Sequence, residues 1–89
     1  MKAVITVLGK DNVGILSKVS TVCAEAGANI IEVTQSVLQD MFAMIMLAEI
    51  DNTNVPLDEL AKKMDQLGEK NNLKIHVMHE DIFNSMHKI

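Results

Sequence analysis

An acid, an amide and a glycine, Asp11, Asn12 and Gly14, stand between the first strand and the first helix that the residue spacing predicts. The β-branched run Ala3–Leu8 is typical of a buried strand, and a helical pattern begins at about Val13. A tight strand-to-helix turn presents free backbone N–H groups at the positive end of the helix, where a carboxylate or another small anion binds well. The turn carries no catalytic nucleophile, so its chemistry is that of holding a ligand.

Each residue of this turn also has a purely structural interpretation. Gly14 is either a point of close ligand approach or a small residue that lets the helix start pack against a neighbouring strand. Asp11 and Asn12 either contact a ligand or act only as turn and cap residues, because both types favour helix entries. The sequence leaves these alternatives open.

Three histidines and one cysteine are the other candidates for chemistry. His76 and His79, followed by Glu80, do not match the H-E-x-x-H spacing of a zinc site, so we interpret them and His87 as surface residues. An alternative is that His79 and Glu80 cap a helix in the tail. Cys23 lies beside the apolar stripe of the first helix and is interpreted as a small core residue. We predict no catalytic residue, metal site or cofactor, because no paired carboxylates, triad or phosphate loop is visible.

The composition excludes several partners. The 89 residues make one domain with a net charge of −4, all eight basic residues are Lys, and only two residues are aromatic. An acidic chain without Arg is a poor binder of nucleic acid. No run approaches the roughly 20 apolar residues of a membrane span, and a single Cys is consistent with a reducing compartment. We therefore expect a cytoplasmic protein that binds neither nucleic acid nor membrane.

The elements that must position the turn follow from hydrophobic periodicity. Their order is β-α-β-β-α-β, an α+β, ferredoxin-like fold with a four-stranded antiparallel sheet, both helices on one face, and a short C-terminal helix. The predicted segments are strands Ala3–Leu8, Asn29–Gln39, Met41–Ile50 and Leu73–Met78, helix Val13–Ala26, and a second helix that begins at Pro56. Gly68 is expected to weaken the end of this second helix, and Asn71 and Asn72 to close it.

The central strands are apolar on both faces, although helices cover only one. A second copy of the chain or the tail is therefore expected to cover the other. We predict a domain over residues 1–79 and a helical tail over residues 80–89, which docks on the domain or on its partner.

With this order and the turn in hand, the chain resembles an ACT domain. The resemblance rests on Asp11–Leu16, which reads D-x-x-G-I-L, and on Ala26–Ile30, which reads A-G-A-N-I, and it covers roughly residues 2–78. Stand-alone bacterial ACT-domain proteins, the glycine-cleavage repressor and formyltetrahydrofolate deformylase are similar.

The resemblance implies a small ligand, often an amino acid, held between two ACT domains. By position, Asp11 and Asn12 would meet its polar groups, and Gly14 would allow close backbone approach. Asn29 would contribute from the other domain. The implied binding set is Asp11, Asn12, Val13, Gly14, Ile15, Asn29 and Ile30.

The sequence thus predicts a non-catalytic regulatory module that binds a small molecule as a homodimer or higher homo-oligomer and is read by a protein partner. The alternative is a protein-interaction adaptor that uses the open sheet face and needs no ligand.

Overall fold

A computed structural model describes residues 1–10 and 14–86 of the chain. The elements are β1 (Lys2–Gly9), α1 (Ile15–Ala26), β2 (Asn29–Leu38), β3 (Met41–Glu49), α2 (Leu57–Asn71), β4 (Lys74–His79) and α3 (Glu80–Met86). This confirms the predicted ferredoxin-like fold, with strand boundaries close to those expected. The second strand ends before Gln39 because that residue has a positive φ of 59° at the hairpin turn.

The sheet has the strand order β2-β3-β1-β4, with every neighbouring pair antiparallel. The predicted central strands, β1 and β3, therefore lie in the middle, and β2 and β4 form the edges. A register shift between Ile30 and Glu32 leaves Ile31 as an extra residue near the start of β2.

The core lies between α1, α2 and one face of the sheet, which we call the inner face. On β1 this face carries Ala3, Ile5 and Val7, whose side chains are fully buried in one cluster with residues of both helices. The buried positions on the helices are Ile15, Val19, Cys23 and Ala26 on α1, and Leu60, Met64 and Gly68 on α2. Helical spacing predicts an α1 stripe of Ile15, Val19, Val22 and Ala26 with Cys23 beside it, but Val22 is half-buried and Cys23 is fully buried in the core.

Gly68 explains why α2 lies so close to the start of β4. A Cβ added at this glycine would lie 2.6 Å from the backbone carbonyl oxygen of Leu73. The Leu73 N–H also donates to the Gly68 carbonyl oxygen at 2.8 Å. A side chain at position 68 would therefore push the helix away from the strand.

The opposite side of the sheet, which we call the outer face, is covered only in part. Val4 points to this face and is 3% exposed, and α3 packs against β1 and β4. Leu8 and Ile45 lie on the same face and remain 45% and 44% exposed. The C-terminal helix thus covers one part of the outer face and leaves an apolar surface beside it.

Candidate functional site

Gly14 stands at the start of α1 in a left-handed backbone conformation, with φ 71° and ψ 7°. Its carbonyl oxygen accepts a hydrogen bond from the Lys18 N–H at 3.0 Å, which closes the first helical turn. A Cβ added at Gly14 would meet only the Lys18 side chain, at 3.9 Å, so it faces open space within the described residues. Glycine stands here because of its backbone conformation, and close packing against a strand is not the reason.

The start of α1 carries the partial positive charge of a helix N-terminus. Within residues 14–86, no side chain caps it and its first turn has no acidic residue. Lys18, one turn into the helix, donates from Nζ to Asn71 Oδ1 at 2.9 Å and so ties the start of α1 to the end of α2. Sequence reasoning missed this link, because 53 positions separate the two residues. Positive charge and helix dipole together favour an anion at this end.

The other predicted turn residues differ in what the structure shows of them. Asp11, Asn12 and Val13 lie outside the described residues, so their roles remain predictions. Ile15 is buried in the core cluster, so of its groups only the backbone N–H, in the first turn of the helix, could serve the predicted ligand role.

Asn29 and Ile30 lie at the other end of the sheet. Asn29 is paired with Glu49, which pairs with Lys2 at the start of β1, whereas Gly14 follows the end of β1. Seven strand steps, roughly 23 Å, separate the two ends of β1. The Asn29 side chain is exposed and Ile30 packs partly against the core. One protomer therefore does not bring the two halves of the predicted site together.

The histidines and the cysteine have structural surroundings. His79 Nδ1 accepts the Asp81 backbone N–H at 3.0 Å and so caps α3, while Glu80 begins that helix. This confirms the capping interpretation for His79. His76 is exposed on the outer face, and His87 lies outside the described residues. In the part of the chain that the structure describes, no group of three His, Cys, Asp or Glu side chains is placed to hold a metal ion.

Cys23 is fully buried in the core, which confirms its predicted role. Burial raises the pKa of its thiol from 9.0 to about 11, because the thiolate would lose its hydration. The thiol is therefore protonated and unreactive at neutral pH.

Among the described helices, none is long and apolar enough to cross a membrane.

Comparison with known proteins agrees with the fold and the motifs. The sequence profile of the ACT domain matches residues 2–78. A UPF0237 protein of Clostridium perfringens is 46% identical over 89 residues, and one of Listeria innocua is 43% identical over 89, with both chains covered in full.

Solved structures give the same result. An ACT domain protein from Streptococcus pneumoniae superposes with a TM-score of 0.82 at 36% identity, covering 93% of each chain. A protein designated a glycine cleavage system transcriptional repressor gives 0.74 at 26% identity, over 86% of this chain and 44% of that one. A formyltetrahydrofolate deformylase from Pseudomonas syringae shares the fold, with a TM-score of 0.77 at 21% identity over 88% of this chain and 27% of its own. The resemblance predicted from the sequence is confirmed, and the chain belongs to the ACT-domain family.

Proposed function

We propose that this protein is a non-catalytic regulatory module that binds an amino acid between two copies of itself. ACT domains are in general regulatory modules that bind ligands. The amino acid, the homodimer and the cytoplasmic location are our proposals for this chain. The observation that carries the homodimer, and with it the shared site, is that the β2 edge is exposed among the described residues.

The β2 edge is long, carries a single charge and is uncovered within residues 1–10 and 14–86. Every residue from Ile31 to Val37 is exposed, and Glu32 is the strand's single charged residue. Val33 and Val37 project from the side of β2 that faces the helix layer, and Val37 is 64% exposed. Soluble proteins usually protect such an edge with Lys, Pro, a short strand or a covering element. A second copy that pairs with β2 would satisfy its free backbone groups.

A twofold axis through the middle of β2 also assembles the site. In such a dimer the two β2 strands run antiparallel, so the end of one lies beside the start of the other. Val37, near the end of β2, pairs with Phe42, which pairs with Gly9 just before the turn. The Gly14 turn of one protomer therefore comes to the same end of the joined sheets as Asn29 of its partner.

The chemistry of the two halves fits an amino acid. The start of α1 and Lys18 favour a carboxylate. We assign the other polar groups of the ligand to Asp11 and Asn12 from the turn and to Asn29 across the interface. Gly14 lets the ligand approach the backbone. The dimer then forms two equivalent sites, and binding favours the dimer arrangement that a regulated partner recognises.

No catalytic role is proposed, because the described residues around the turn supply neither an activated nucleophile nor a paired acid and base.

We further propose that residues 1–79 form the ligand-binding domain and that residues 80–89 are a tail docked against it.

A thermal-shift screen against the twenty amino acids, combined with a light-scattering mass, tests the proposal. An amino acid at about 100 times its dissociation constant adds about 2.7 kcal/mol to the free energy of unfolding. We expect one or a few amino acids to do so, and the Gly14→Asn variant to lose the effect, since Asn tolerates the backbone conformation but fills the approach. Gln66→Asn, on the exposed side of α2, serves as the matched control and keeps the effect. The proposal is contradicted if none of the twenty amino acids stabilises the protein. It is also contradicted if Gly14→Asn binds the selected amino acid as tightly as the wild type does.

The adaptor remains a second candidate because of the outer face. Leu8 and Ile45 are exposed there beside the part that α3 covers. An adaptor would lose its partner when Ile45→Lys places a charge on this face, and it would be indifferent to Gly14→Asn. The amino-acid module shows the opposite pattern.

A further inference from the structure

A cleft of about 260 Å³ lies at one corner of the outer face. Leu8 is paired directly with Lys74 on β4, so their side chains share this face. Met41, at the start of β3, lies on the same face as Leu8 because it is two positions before Ala43, the residue opposite Leu8. The remaining lining residues are Gly9, Lys10 and Asn72.

The cleft joins an apolar floor to positive charge. Leu8 and Met41 are 45% and 40% exposed and form the apolar floor of the cleft. Lys10 and Lys74 supply two ammonium groups, and none of the cleft-lining residues within 1–10 and 14–86 is acidic. No ion pair among these described residues engages either lysine. The charge that they contribute is opposite in sign to the net charge of −4 on the chain.

The third polar component is Asn72, whose left-handed backbone ends α2. This residue carries an amide that both donates and accepts hydrogen bonds. Two cations and an amide around an apolar floor complement a carboxylate attached to a short hydrocarbon body. The volume is below the roughly 300–1,000 Å³ of sites for drug-sized molecules, which limits the ligand to a few carbon atoms.

The larger groove between the helices lacks this complementarity. It measures about 620 Å³, but Glu69 stands there with Lys63 and Lys70, so its charges are mixed. A carboxylate would meet both attraction and repulsion in that groove.

We propose that the corner cleft is a second binding site, which takes a small carboxylic acid with a short apolar chain. It lies on the face of the sheet away from the helices. Both sites lie at the end of β1 that leads into the Gly14 turn, but the cleft opens on the outer face whereas α1 begins on the helix side of the sheet.

Titration with hexanoate, followed by the two-dimensional amide NMR spectrum, tests the site. We expect saturable shifts that cluster at Leu8–Lys10, Met41 and Asn72–Lys74. Hexan-1-ol and hexylammonium are the matched probes, and they should bind more weakly because they lack the negative charge. Shifts spread over the whole outer face, or equal binding of the alcohol, would overturn the proposal.

Two variants refine the test. Lys10→Gln and Lys74→Gln should each raise the dissociation constant of hexanoate about two- to fivefold, the range for partly exposed charge pairs. Lys62→Gln, on the exposed side of α2, is the control and should leave it unchanged. If Lys62→Gln and Lys74→Gln raised the dissociation constant of hexanoate equally, general charge attraction would explain the binding. The proposed site in the cleft would then be wrong.

Discussion

The two edges of the sheet are protected very differently. β4 has six residues, exposes Lys74 and His76, packs beside α2 and continues directly into α3. β2 has ten residues, contains one charge and exposes its side chains from Ile31 to Val37. Short length, a lysine and covering helices are the usual protection of an edge against pairing with another chain. Within the described residues the chain therefore protects its β4 edge and leaves its β2 edge exposed, where the proposed dimer would pair.

This difference assigns a role to each side of the molecule. The β4 side is stabilised by contacts that the chain makes with itself, and Gly68 is central to them because it admits α2 to the start of β4. In the proposed dimer, the second chain completes the β2 side, which then carries the amino-acid site.

The β4 side should be the more sensitive to substitution in the isolated chain. Gly68→Ala places a Cβ 2.6 Å from the Leu73 carbonyl oxygen, a backbone atom that cannot rotate away. We expect the free energy of unfolding to fall by about 3 kcal/mol, the upper end for overpacking. Urea denaturation measures this. The control Gln66→Ala, on the exposed face of the same helix, should change the value by no more than about 0.5 kcal/mol, and an equally stable Gly68→Ala would show that α2 is loosely packed.

Substitutions on the β2 side should weaken the association of the two chains and leave the folding of each chain unaffected. Val33 lies near the middle of β2, so Val33→Lys brings two ammonium groups together at the proposed twofold axis. We expect the dimer dissociation constant to rise about 30- to 100-fold through like-charge repulsion, as measured by analytical ultracentrifugation. Ile45→Lys, a similar change on the outer face, is the matched control. If Ile45→Lys dissociates the dimer and Val33→Lys does not, the interface lies on the outer face.

The pH dependence of the unfolding free energy tests whether α1, beside the β2 edge, packs tightly enough on the core to keep water from Cys23. The Cys23 thiol has its pKa raised from 9.0 to about 11 by burial. Its contribution is therefore complete below pH 9 and is lost as the pH rises toward 11, because the unfolded chain ionises first. The difference in unfolding free energy between the wild type and Cys23→Ala should shift by about 2 kcal/mol over that range. No shift would mean that water already reaches the thiol in the folded protein.

The smallest expected effect concerns the turn itself. Gly14 has φ 71° and open space around its Cα, so backbone strain alone should decide the outcome. Gly14→Ala should lower the free energy of unfolding by about 1 kcal/mol, and Gly14→Asn by less, because Asn tolerates this conformation. Thermal denaturation compares the two. If the larger Asn is the more harmful, packing controls position 14 and the argument for ligand access weakens.

Periodicity was sufficient to predict the four strands, both helices and the central place of β1 and β3. It placed Val22 on the buried stripe instead of Cys23, because an ideal helix does not reveal how far α1 rotates to meet α2. Gly68 was expected only to weaken the end of α2, since the close approach of Leu73 depends on tertiary packing.

The candidate site was less accessible to sequence reasoning. The D-x-x-G-I-L turn pointed to Gly14, yet neither its left-handed backbone nor the link from Lys18 to Asn71 has a local signal. Lys10 and Lys74 are far apart in sequence and meet only through strand pairing. The residues of such sites are distant in sequence and are brought together by the fold, so a local motif indicates at most some of them.

The central claim is that each amino-acid site combines Gly14 of one protomer with Asn29 of the other. A mixed dimer of Gly14→Asn and Asn29→Ala chains, purified with two different tags, tests it by calorimetric titration of the amino acid selected in the screen. Each variant alone should bind nothing, whereas the mixed dimer should regain about half of the wild-type sites, because one of its two sites has both native residues. A mixed dimer that binds no better than its parents would contradict the shared site.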